Sequence, residues 1–207
     1  MQAKARLASG AALAALFAAG CGSGASSSGG RQAKSTPAAT STPSPTSTPE
    51  VNPAGDIPDN QAYVPYNAPS GGFTVKVPEG WAQRTAGRAV VFTDKLNAIR
   101  IETRSATAAP TVASARSHDV AALESTVKGF TPGTVSAVRR KAGTAVRIKY
   151  LAAAPPNPVT GKAGVDAVER YVFFHHGKEA ILTLSGPKGA DNVDPWRIIS
   201  ESLRWTR

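Results

Sequence analysis

The sequence predicts an α+β domain: an antiparallel sheet of about seven strands flanked by helices. Three observations carry that prediction. The runs Glu169 to Phe174 and Ala180 to Leu184 are rich in aromatic and β-branched residues, which suit a half-buried pleated surface. Between them, His175-His176-Gly177-Lys178 contains a glycine able to take the positive φ of a tight hairpin turn, so the two runs pair antiparallel. Finally, Asp194-Pro195-Trp196 reads as a helix start, with Asp194 as cap and Pro195 in the first turn. Trp196, Ile199 and Leu203 then recur at helical spacing and form a stripe to lay across the hairpin.

The preceding chain follows the same logic. Phe73, Val75 and Val77 alternate with polar residues until Pro78-Glu79-Gly80 turns the strand away. Residues 89–93 and 98–104 form a second hairpin around Asp94-Lys95-Leu96-Asn97, with Ile99 and Ile101 inward and Arg100, Glu102 and Arg104 outward. A helix spans Val112 to Lys128, with Val120, Leu123 and Val127 as its apolar stripe and Gly129 at its end. Strands over 134–140 and 144–152 make a third pair, and the prolines of 153–162 mark a loop. No internal repeat is present.

Before this domain, residues 1–20 have the layout of a secretory signal: Lys4 and Arg6, an apolar run from Leu7 to Phe17, then Ala18-Ala19-Gly20. Cys21, the sole cysteine, follows at once, so no disulfide forms within the chain. Residues 21–60 are dominated by Gly, Ser, Ala, Thr and Pro, a composition too polar to bury a core. They read as a tether, or as a glycosylated stalk, reaching on the order of 35 Å. The folded domain is expected over 61–207. From Val51 onward 20 Lys and Arg stand against 13 Asp and Glu, a net charge of +7 that favours anionic neighbours.

Ala18-Ala19-Gly20-Cys21 resembles the lipobox of bacterial lipoproteins, with Ala18 where leucine is usual. That resemblance implies a diacylated Cys21 that holds the chain to the outer face of the cell membrane, a location that argues against nucleic acid as partner. The opening F-x-V-x-V-P-x-G-W from Phe73 to Trp81 and the closing strand-turn-strand from Arg170 to Ser185, followed by a helix, resemble the PsbP-like domain. That domain is named for an extrinsic photosystem II subunit and is also found in small actinobacterial lipoproteins of the LpqN type. The resemblance covers residues 63 to 205 and implies an α/β/α sandwich that acts by docking on larger assemblies, with no enzyme activity, cofactor or metal.

Few residues point to chemistry. His175 and His176 are adjacent in a strand-and-turn segment and project differently, so with Glu179, His118 and Asp119 they do not converge on one ion. Asp191 and Asp194 are too few for calcium. No phosphate loop and no Gly-x-Ser-x-Gly occurs. Arg139, Arg140 and Lys141, with Arg147 and Lys149 on the partner strand, form a candidate contact for an anionic partner, or a solvated sheet face. Tyr63, Tyr66 and Trp81 line a ligand cleft or pack against the core.

The expected function is therefore a non-catalytic, lipid-anchored binding or accessory module for another envelope protein, wall polymer or lipid surface. A carrier of a small molecule or lipid in a cavity between sheet and helix is one alternative. An envelope hydrolase using His118, His175 or His176 is the other.

Overall fold

The computed structural model describes residues 54–69, 71–156 and 161–206. The signal segment, Cys21 and the tether as far as residue 53 lie outside the described residues. Among the described residues ten strands occur: β1 Tyr63–Ala68, β2 Phe73–Pro78, β3 Ala82–Ala86, β4 Ala89–Asp94, β5 Asn97–Ser105, β6 Thr131–Arg140, β7 Gly143–Ala153, β8 Val165–His175, β9 Lys178–Pro187 and β10 Arg204–Trp205. Helical segments are α1 Val112–Ser114, a π-helical stretch Ala115–Val120, α2 Ala121–Thr126 and α3 Val193–Ser202.

The large sheet is antiparallel and seven-stranded, in the order β3-β4-β5-β9-β8-β7-β6. Its membership corrects the expected one. β2 belongs instead to a separate three-stranded sheet, β1-β2-β10, while β3 supplies the seventh place. β1, β3 and β10 lack strong alternation: β3, Ala-Gln-Arg-Thr-Ala, has almost no apolar face to bury. Such strands are defined by their neighbours' hydrogen bonds.

One face of the large sheet presents Ile99, Ile101, Tyr171, Phe173, Ala180, Leu182 and Leu184. These pack with Phe73, Val75 and Val77 of β2 and with Trp196, Ile199 and Leu203. The predicted C-terminal stripe thus sits where its spacing puts it. Across the sheet, Val146, Ile148, Tyr150 and Val168 form a smaller core with Ala115, joined by half-buried Val120, Leu123 and Val127. Helices therefore cover both faces.

The β8–β9 hairpin turns through His176 (φ 43°) and Gly177 (φ 77°), two consecutive left-handed residues as a type I′ turn requires. α3 begins two residues earlier than expected. Asn192 precedes its first turn without a side-chain cap, and Asp194 pairs with Arg197 at 3.0 Å instead of capping. Packing also begins ahead of residue 61, since Ile57 is buried in the main core.

Candidate functional site

A cleft of about 410 Å³ opens between the start of α3 and the outer strands β6, β7 and β8. Its volume falls in the range usual for small-ligand sites. Trp196 and Val193 form the helix wall, and Leu151, Ala167 and Pro132 form most of the apolar sheet wall. Local sequence explains why the sheet is open here. The β6–β7 register slips between Pro132 and Val135, a bulge on an edge strand where proline's missing N–H is tolerated. Gly133 sits in that bulge with its α-carbon against the Lys149 carbonyl, where any Cβ would come within 2.5 Å of the oxygen.

The polar end of the cleft is built from Lys149 and Glu169, directly opposite each other on β7 and β8. Lys149 Nζ lies 2.6 Å from Glu169 Oε1, and Arg147 Nη1 approaches the same oxygen at 3.8 Å. The second carboxylate oxygen accepts a hydrogen bond from the Tyr171 hydroxyl. Burial, and then the Glu169 carboxylate, push the Tyr171 phenol above its ordinary range, against the opposing hydrogen bonds of Arg140 and Ser200, so the hydroxyl stays a donor at neutral pH. Arg140 Nε donates to Ser200 Oγ at 3.0 Å, and its guanidinium lies 5.3 Å from the Tyr171 ring centroid. Two cations thus meet one carboxylate, and a third, Arg140, sits on the tyrosine that donates to it.

Strand parity splits the basic cluster predicted from sequence. Arg140, Arg147 and Lys149 pair opposite Gly143, Ser136 and Glu169 and share the face that α3 covers; Arg139, one residue away on β6, projects from the other face. Arg139 and Lys141 are exposed, and Lys141 borders a second groove with Lys76, Glu201 and Arg204.

A second polar group occupies the opposite face. Arg104 reaches two carboxylates, Glu179 at 2.6 Å and Asp119 at 3.1 Å, both of them buried. The π-helical stretch carries Ala115 and Asp119 inward. Arg170 bridges Glu102 at 3.2 Å and the Thr183 hydroxyl at 2.9 Å. These ion pairs tie the helix and central strands together, and outward-facing Arg104 is a structural cation.

The histidines are dispersed. His118 is exposed on the π-helical stretch, while His175 stacks on Trp205 with ring centroids 5.1 Å apart and touches His176 at 4.0 Å. Among the described residues no three His, Cys, Asp or Glu side chains are grouped to hold a metal, and none of the histidines lines the cleft. Tyr66 packs edge-on against Phe92 at 5.2 Å, Tyr63 packs on the main core, and Trp81 borders a separate pocket of about 130 Å³. Among the described residues no helix is long and apolar enough to cross a membrane.

No family model matches the chain, and no curated protein does. Among solved structures, cyanobacterial PsbP (CyanoP) from Synechocystis superposes with a TM-score of 0.53 at 13% identity, over 77% of this chain and 97% of that one. The chain has the PsbP-like fold. LpqN of Mycobacterium tuberculosis, whose structure is described as that of a protein involved in cell envelope biogenesis, is similar at 18% identity and TM-score 0.43, over 72% of this chain and 93% of its own. A Bacteroides thetaiotaomicron protein is similar at 13% identity and TM-score 0.44, over 66% of this chain, which spans only 46% of its length. Within this PsbP-like domain, sequence reasoning named Lys149 and Arg147 and offered a sheet–helix cavity as an alternative, but did not place the cleft beside them. Pro132-Gly133 was the available signal: a proline and a glycine at the start of an edge strand mark a bulge.

Proposed function

We propose that this PsbP-like domain is a non-catalytic binding module, held by acylated Cys21 on the outer face of a bacterial cell membrane, that takes a small apolar or amphiphilic molecule between α3 and β6–β8. The cleft carries this reading: an apolar chamber of about 410 Å³ with Trp196 on one wall and a single ion-paired group at its polar end. The signal layout and sole cysteine support the location. The cleft also favours a carrier over a hydrolase, because its polar end holds Lys149 and Glu169 and none of the histidines that the hydrolase reading needs.

Native mass spectrometry of the protein released from its own membrane tests this. The expected result is a retained small molecule, absent from an Ala167→Phe variant whose ring fills the cleft. Retention of the same molecule by the variant, or none in either protein, overturns the reading.

Docking on an envelope protein or anionic surface is a second reading, favoured by the exposure of Arg139 and Lys141 beside the β6–β7 turn. Crosslinking in the native envelope separates the two. A discrete protein lost when Arg139 and Lys141 are neutralised supports docking; capture unchanged by that variant removes the basic turn from it.

A further inference from the structure

The polar end of the cleft has more donors than acceptors. Arg147 and Lys149 converge on Glu169, whose two oxygens are already engaged by Lys149 and by Tyr171, and Arg140 adds a further donor at the Tyr171 hydroxyl. Two polar atoms on the same face have no partner: Arg147 Nε and Ser136 Oγ, each buried just beyond the residues that line the cleft. They belong to residues directly opposite on β6 and β7, one strand step in from Lys149. An N–H and a hydroxyl so placed carry the desolvation cost of unsatisfied donors, so this end of the face is short of acceptors. On the facing wall, the first turn of α3 borders the cleft and its amides receive no side-chain cap, because Asn192 is committed elsewhere. The rest of the lining is apolar.

We propose that the cleft takes a single-chain amphiphile with an anionic head, the head on Lys149 and the chain between Trp196, Val193, Leu151 and Ala167. This rests on reading the cleft as a binding site. Glu169 makes the inference sharp, since it competes with the head for the same cation. Removing its charge therefore strengthens binding, whereas removing the Lys149 charge weakens it. A charge-assisted hydrogen bond corresponds to roughly tenfold in affinity or more.

The test uses the full chain carrying Cys21→Ser, so that no acyl group of its own competes, with tryptophan fluorescence reporting on Trp196 once Trp81 and Trp205 are replaced by Phe. Three probes share one tail and are used below their micelle concentration or solubility limit: decanoate, 1-decanol and decylammonium. Saturable binding of decanoate about tenfold tighter than decanol, with decylammonium weakest, is expected. Lys149→Gln should erase the decanoate preference and leave decanol unchanged, while Glu169→Gln should enlarge it several-fold; thermal melts confirm that both variants are folded. Equal affinity for decanoate and decanol, or a preference untouched by both variants, overturns the anionic head but leaves the cleft reading standing. Absence of saturable binding by any probe overturns both.

Discussion

Asn192 and Asn97, 95 positions apart in sequence, share a hydrogen bond of 3.0 Å from Asn192 Nδ2 to Asn97 Oδ1. Both side chains also donate to the Gly55 carbonyl at 2.9 Å, and Asn192 Oδ1 accepts from the Ile57 amide at 2.8 Å. Two buried amides thereby fasten the segment entering the domain to the start of β5 and to the residue before α3, at one wall of the cleft.

Asn192→Ala removes three hydrogen bonds and leaves the Ile57 amide without its acceptor. A loss of about 3 kcal/mol is expected in chemical denaturation. Asn192→Asp keeps that acceptor but sets a carboxylate against the Gly55 carbonyl and Asn97 Oδ1, so it should also destabilise. Wild-type stability in either variant would show that the segment is not held by these bonds.

Arg104→Gln strands Asp119 and Glu179 in a buried setting. Because the guanidinium is half exposed, solvent softens the effect, and about 2 kcal/mol of destabilisation is expected. Adding Glu179→Gln should recover part of it, as one carboxylate no longer needs a cation. Additive losses in the double-mutant cycle would contradict the coupling.

Glu102 and Asp166 should give opposite pH signatures. Burial raises the Glu102 carboxyl, but the Arg100 hydrogen bond and the charges of Arg170 and Arg100 outweigh it and hold the group below its ordinary range. With a folded value below the unfolded one, Glu102 contributes stability at neutral pH that is lost as pH falls through the folded value. Glu102→Gln should therefore narrow the stability gap between pH 7 and pH 3. Burial raises Asp166, so its ionised form opposes folding once pH exceeds the unfolded value. Asp166→Asn should stabilise at pH 7 and have no effect at pH 3.

His176 holds a left-handed conformation at φ 43°, which a β-carbon disfavours. His176→Asn, the residue preferred before glycine in a type I′ turn, should stabilise the β8–β9 hairpin by about 0.5 kcal/mol. Gly177→Ala should cost about 1 kcal/mol. The shift in thermal midpoint measures both, and a neutral Gly177→Ala would mean that the turn relaxes to another type.

Periodicity read the buried elements well. Val146, Ile148 and Tyr150 face one core while Arg147 and Lys149 face the other way, as strict alternation requires. The same rule, applied to Arg139 and Arg140, would have shown that adjacent strand residues cannot share a face. β1, β3 and β10 escaped because their residues take strand geometry from neighbours already in place. The place of the cleft escaped because a cavity is defined by what fails to fill it, and its lining comes from β6, β7, β8 and the approach to α3.

The sequence by itself determined the hairpins, the helix stripes, the α+β class and the charge of the domain, since each follows from local alternation, turn chemistry or composition. Tertiary structure alone decided that β2 leaves the large sheet, that Asn192 meets Asn97, and that Lys149 and Arg147 close on Glu169 beside an apolar chamber. Those outcomes depend on which distant strands come into register, and register is set by the packing of the whole core, where a one-residue slip would send every side chain to the other face.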